Sequence, residues 1–149
     1  MTKLSHLDLN VSDYRKSLLF YDLILLNLGW TRTVCRTTYT NYTDGTMKIC
    51  ICPTEEKYIS AGLHRKRTGL NHLAFYASSK KEVDRFHKDV LVKNGISCLY
   101  ENGPSGDDDY YAVFFEDPDR IKLEVVYAPR YCDPNDWTNQ FESDYDPYA

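Results

Sequence analysis

His6, His72 and Glu124 are the side chains of this sequence best suited to share one piece of chemistry. Two imidazoles and a carboxylate make an open ligand set for a divalent ion such as Zn2+, Mn2+, Fe2+, Ni2+ or Co2+, because three protein ligands leave coordination positions for water or substrate. Glu124 interrupts the apolar run Leu123-Glu124-Val125-Val126. A carboxylate there must face solvent, a cation partner or a metal, since an unpaired buried charge is costly. It is also the candidate catalytic carboxylate. Each residue has a plainer use as well. A histidine on a half-buried strand is often a hydrogen-bonded structural group, and Glu124 could be a solubilising charge on an edge strand.

A repeat explains why the two histidines belong together. Leu4-Ser5-His6-Leu7 matches Leu70-Asn71-His72-Leu73, and the same offset then aligns Ser12 with Ser78, Phe20 with Phe86, Leu25 with Leu91 and Gly29 with Gly95. Duplication could equally have copied a structural histidine. The order of elements repeats too. Residues 4–11 roughly alternate apolar and polar side chains, a strand pattern. Ser12 or Asp13 then offers a helix N-cap, Leu18, Leu19, Leu25 and Leu26 carry an apolar face with Asp22 as its one polar member, and Gly29 closes the helix. In the second copy residues 70–77 form the strand, Ser78 or Ser79 the cap, 82–92 the helix and Gly95 the stop. Phe20 and Phe86 read as core residues.

After each helix the pattern returns to strands, expected over 30–36, 37–42 and 46–52 in the first copy. Asp44-Gly45 supplies a hairpin turn there, but no turn residue separates the first two strands. In the second copy strands are expected over 96–100, 110–116 and 121–127, with Asp117-Pro118-Asp119 turning between the last two. The class is therefore α+β, two β-α-β-β-β modules over residues 1–53 and 69–128 within one domain, 1–128. Residues 54–68 link them. Residues 129–149 are an acidic, aromatic extension without periodicity. Aligning the last strands of the modules places Cys50 opposite Glu124.

Composition sets the outer bounds. At 149 residues, with 42% hydrophobic and 27% charged residues, the chain can build an ordinary globular core. A net charge of −4 argues against a nucleic-acid binder. No apolar run approaches the roughly 20 residues that span a bilayer, so no membrane partner is expected. Five cysteines without a secretory leader imply reduced thiols and a cytoplasmic setting. Cys50-Ile51-Cys52 lacks the spacing of a redox C-x-x-C pair, and strand alternation puts both sulfurs on one face.

The residues from 3 to 127 resemble the vicinal-oxygen-chelate superfamily, which includes glyoxalases, bleomycin-resistance proteins and extradiol dioxygenases. The resemblance is carried by Leu4-Ser5-His6-Leu7 with Phe20-Tyr21 and Gly29-Trp30, by Leu70-Asn71-His72-Leu73-Ala74-Phe75, by Glu101-Asn102-Gly103-Pro104, and by Phe115 to Glu124 with its Asp-Pro-Asp turn. It implies paired modules whose curved mixed sheet encloses a divalent metal, held here by His6, His72 and Glu124. It implies Lewis-acid chemistry of the lyase or isomerase type on a small oxygenated substrate, and commonly a homodimer, sometimes with exchanged modules. The alternative within the same family is a non-catalytic, bleomycin-resistance-like binder. Glyoxalase-type members supply a fourth ligand, a glutamate, where this chain has Cys50, which reads as a small buried thiol or a soft fourth ligand. Extradiol enzymes carry a tyrosine where this chain has Phe114. The pocket the resemblance implies would be lined by Asn10, Tyr39 and Tyr111. Arg65, Lys66 and Arg67 could draw in an anionic substrate or form a solvated linker run, and Ser105 to Asp109 would be an acidic loop, a candidate lid. His64 and His87 read as surface residues.

Overall fold

The computed structural model describes residues 2–133. Most of the C-terminal extension, residues 134–149, lies outside the described residues. The first module runs β1 (His6–Val11), α1 (Tyr14–Asn27), β2 (Thr31–Cys35), β3 (Thr40–Thr43) and β4 (Lys48–Pro53). A single helical turn, α2 (Glu56–Ile59), stands in the linker. The second module runs β5 (His72–Tyr76), α3 (Lys80–Phe86), β6 (Ser105–Gly106), β7 (Tyr111–Glu116) and β8 (Lys122–Tyr127). Each module folds its own four-stranded mixed sheet, in the orders β1-β4-β3-β2 and β5-β8-β7-β6. In both, the first strand runs parallel to the last and the remaining pairs are antiparallel.

Local chemistry sets the helix ends as the sequence indicates. Asp13 caps α1 by accepting from the Lys16 amide at 2.9 Å, and Gly29 follows the helix at φ +84°, a conformation that costs a glycine little. The second helix starts with a capping box. Ser79 accepts from the Glu82 amide, while the Glu82 carboxylate accepts from the Ser78 amide and hydroxyl. Beyond Phe86 the helix loosens into a π-helical turn, His87–Leu91, and a 3-10 turn, Val92–Asn94, before Gly95. Asp22 is not an error in the apolar stripe of α1. It accepts from the Tyr42 hydroxyl at 2.8 Å and from Arg32 at 2.5 Å, and burial together with that bond raises the Tyr42 phenol well above its ordinary range.

One strand expectation is corrected. Residues 96–100 are not a strand: only Cys98 bridges to Phe115, and the paired strand is the two-residue β6, Ser105–Gly106, against β7. Tyr100 sits at φ +68°, which breaks the extended backbone, and Pro104 brings no N–H to a ladder. The expected loop over Ser105 to Asp109 is accordingly a tight hairpin, in which Asp107 accepts from the Asp109 and Tyr110 amides.

The core lies where the sheets meet the helices. Leu9, Val11, Ile49 and Ile51 of the first sheet and Phe75, Leu123, Val125, Val113 and Phe115 of the second are buried with Ile24, Leu25, Phe86 and Leu91. Phe115 packs between Phe20, 6.3 Å away between ring centres, and Phe86, 5.8 Å away, so both repeat-related phenylalanines serve the core. The Asp-Pro-Asp turn clasps the modules. Asp119 accepts from the Ser12 amide at 2.9 Å and from its hydroxyl, and Asp117 accepts from the Tyr21 hydroxyl at 2.9 Å.

Burial pushes the Asp117 carboxyl up to about 6, against the downward pull of the Ile121 amide, the Tyr21 hydroxyl and the Asp119 amide. A raised folded value means this carboxyl favours folding most at low pH and loses that contribution as pH rises through about 6. Tyr21→Phe is expected to raise the Asp117 value further and to cost about 1–2 kcal/mol at pH 7, less at pH 5 where the neutral acid needs fewer donors. Urea unfolding at the two pH values, with carboxyl NMR titration, checks both; an equal loss at pH 5 and 7 would contradict the assignment.

Candidate functional site

Strand alternation sorts each sheet into two faces. In β8, Leu123 and Val125 point toward the helices, so Lys122, Glu124 and Val126 take the opposite, concave face. Register brings His72 beside Lys122, and Ala74 and Phe114 beside Glu124. His72 and Glu124 thereby meet: Nε2 of His72 lies 3.4 Å from Oε2 of Glu124.

Glu124 has 0% of its surface exposed. One carboxylate oxygen, Oε1, accepts from the Tyr110 hydroxyl, and burial with that bond raises the Tyr110 phenol well above its ordinary range. The other oxygen, Oε2, has no hydrogen-bond donor. Nδ1 of His72 lies 2.8 Å from the side-chain oxygen of Asn71, which can only accept, so Nδ1 carries a proton and Nε2 is the atom presented to Glu124. With the imidazole neutral, a nitrogen lone pair and an unsatisfied carboxylate oxygen converge on one point. Such an arrangement suits a cation, and an Asn71-type partner on the far nitrogen is how metal-binding imidazoles are oriented. The donor set therefore fits a divalent metal.

His6 does not complete this set within one chain. Among the described residues, the three or more His, Cys, Asp or Glu ligand atoms that gather within 4.8 Å of one another are those of Asp8, Cys50 and Cys52. His6 is exposed, with Nδ1 3.2 Å from the Ser5 hydroxyl. Cys50 lies on the concave face of the first sheet, opposite Asp8, half-buried and outside the main core rather than a core thiol.

The substrate-lining residues expected from the sequence are dispersed. Asn10 lines a cavity of about 160 Å³ with Ser12, Thr54, Tyr58 and Asp119, at the end of β1 away from His6. Tyr39 stands in the turn between β2 and β3, with the Arg36 guanidinium 5.8 Å above its ring. Tyr111 is a correction: it shares the helix-side face with Val113 and Phe115, and its hydroxyl donates to Asp84 at 2.8 Å. The tyrosine that reaches Glu124 is its neighbour Tyr110, and counting alternate positions from Glu124 and Phe114 would have found it. Tyr131 of the extension stacks edge-on against Tyr110 at 5.6 Å. Of the basic run, Arg65 pairs with Glu116.

A sequence profile of the Glyoxalase/Bleomycin resistance protein/Dioxygenase superfamily matches residues 3–125. The uncharacterized protein YqjT of Bacillus subtilis is 37% identical over 123 residues, covering 81% of this chain and 95% of its own. Among solved structures, a candidate glyoxalase from Bacillus halodurans is 38% identical with a TM-score of 0.77, over 83% of this chain and 94% of its own. The fosfomycin resistance protein FosX of Listeria monocytogenes shares the fold at a TM-score of 0.64 and 21% identity, over 86% of this chain and 94% of its own.

Tyr110→Phe would leave both oxygens of a buried carboxylate without a donor. The expected loss is about 1–3 kcal/mol of folding free energy in metal-free protein. The loss should shrink in a Glu124→Gln background, where no charge is buried. A double-mutant cycle by urea unfolding tests this, and equal losses in the two backgrounds would refute the coupling.

Proposed function

Since the chain belongs to the Glyoxalase/Bleomycin resistance protein/Dioxygenase superfamily, we propose that it is a divalent-metal-dependent, glyoxalase-like enzyme of the lyase or isomerase type acting on a small oxygenated substrate. The observation that carries this reading is the fully buried Glu124 carboxylate, with one oxygen unsatisfied and 3.4 Å from Nε2 of His72. A protein that only sequestered a ligand would have no need to bury a charge in that way.

In this reading His72 and Glu124 are two ligands, and His6 is the third. Because His6 does not join the other two within one chain, it comes from a second copy in a homodimer with exchanged modules. Cys50, where a glyoxalase-type glutamate would stand, is left as a possible fourth position. When bound, the metal supplies Lewis-acid polarisation of a substrate oxygen. The protein's own residues do the rest. Asn71 fixes the tautomer and plane of His72. Tyr110 holds Oε1 of Glu124, so the carboxylate presents Oε2 alone. Ala112, Phe114 and Val126 line the same face with apolar surface that limits water. Glu124, beside His72, is the carboxylate among the described residues placed to take up or return a proton at the reacting centre, and Asn10 at the far end of β1 is a candidate substrate contact. Proton-transfer chemistry that needs a glutamate at the position of Cys50 is disfavoured, because a thiol stands there.

Elemental analysis of protein purified without chelators should find about one divalent ion per chain more in the wild type than in His72→Ala or Glu124→Gln. Unchanged metal content in His6→Ala and Glu124→Gln would refute the site. Asn71→Ala should weaken metal affinity by about 10–100-fold, read by calorimetric titration.

Co-expression tests the exchanged dimer. His6→Ala and Glu124→Gln chains, each metal-poor alone, should together recover about a quarter of the wild-type sites, because half of the dimers are mixed and each mixed dimer holds one intact site of two. No recovery, or a monomer by sedimentation, would place His6 outside the site.

A further inference from the structure

Asp8 and Cys52, which the reading above does not use, stand on the first module beside Cys50, which it leaves as a possible fourth position. Asp8 on β1 pairs in register with Cys50 on β4, and Cys52 lies two residues further along the same face. Their ligating atoms all lie within 4.8 Å of one another, and the two sulfurs are 3.5 Å apart. We infer that Asp8, Cys50 and Cys52 form a site for a thiophilic divalent cation of the Zn2+ or Cd2+ class.

Three observations support it. Tetrahedral Zn2+ with bonds of about 2.3 Å to sulfur holds two thiolates roughly 3.8 Å apart, close to the spacing already present. A disulfide is the poorer fit, because alternate residues of an extended strand have Cα atoms about 6.6 Å apart, near the upper end of what a disulfide tolerates. And the thiols are on the wrong face for packing: the neighbouring Ile49 and Ile51 are buried against the helices, whereas Cys50 and Cys52 sit half-buried outside that core. Two sulfurs and a carboxylate oxygen leave one position of a tetrahedral ion for water or a ligand. Each thiol that binds the ion gives its proton to solvent, and no electron is transferred. Soft thiolates select this class of cation over Mg2+ or Mn2+. The site stands whether or not His72 and Glu124 hold a metal.

The test is a titration of the full-length, reduced protein with Cd2+, following the ultraviolet thiolate-to-metal charge-transfer absorption. The band is expected to saturate at about one equivalent per chain. It should disappear in the Cys50→Ser/Cys52→Ser variant and persist in Glu124→Gln, so a failure of this site and a failure of the His72–Glu124 site give different patterns. Asp8→Asn should weaken the Cd2+ affinity by about ten-fold or more, since even groups outside the ligand shell matter on that scale. A second readout needs no variant. Zn2+ should protect Cys50 and Cys52, but not the exposed Cys35, from alkylation measured by peptide mass spectrometry. No band in wild type, an equal band in the double serine variant, or equal alkylation of Cys50 and Cys52 with and without Zn2+ would overturn the proposal.

Discussion

A carboxylate with no exposed surface is the constraint on which the second module's site depends. Leaving an unpaired charge in a low-dielectric interior costs several kcal/mol, so Glu124 must be met by donors or by a cation. The fold meets half of that demand. Tyr110 donates to one oxygen, and Tyr131 of the extension packs against the Tyr110 ring. The other oxygen is left facing His72, whose far nitrogen is already committed to Asn71. A core designed for stability alone would put an apolar side chain at this position; the retained, half-satisfied carboxylate is the observation on which the proposed site rests.

The position of that charge is fixed by the core on the other side of the same strand. Leu123 and Val125 are buried against Phe86, Phe115 and Leu91, and a slip of one residue would turn Glu124 into that packing. Register is held as well by the Asp-Pro-Asp turn that feeds β8, where Asp117 accepts from the Ile121 amide at 2.8 Å and from Tyr21 of the first module. One short turn thus sets the phase of the strand that carries Glu124 and ties the modules together. With the modules joined in this way, His6 does not gather with His72 and Glu124 in one chain, and this motivates the second copy.

Much of this was legible in the sequence because it follows from short-range rules. The repeat, both N-caps, the glycines after the helices and the Asp44-Gly45 and Asp-Pro-Asp turns each have a local cause. The strand expected over residues 96–100 was not recoverable, because its apolar pattern is that of a strand while the left-handed Tyr100 is set by the loop that follows. The exchange of Tyr111 for Tyr110 has a different origin. A resemblance locates a pocket only to within a residue or two, but the two faces of a strand differ by one. The gathering of Asp8 with Cys50 and Cys52 was not legible, because it depends on the register between β1 and β4, which is not a local property.

The comparison of the modules separates what the fold requires from what the site requires. On the helix-facing side, Leu7, Leu9, Ile49 and Ile51 correspond to Leu73, Phe75, Leu123 and Val125, apolar in every case. On the concave side only two pairs keep their chemistry, His6 with His72 and Lys48 with Lys122. The others diverge: Asp8 against Ala74, Asn10 against Tyr76, Cys50 against Glu124, and Cys52 against Val126. Packing constrains both copies alike, since a change of even one methylene in a dense core is felt. On the concave side the second module packs Ala112, Phe114 and Val126 around Glu124, whereas the first leaves Asp8 exposed and Cys50 and Cys52 half-buried. One module presents a hard carboxylate beside an imidazole and the other a pair of thiols beside a carboxylate.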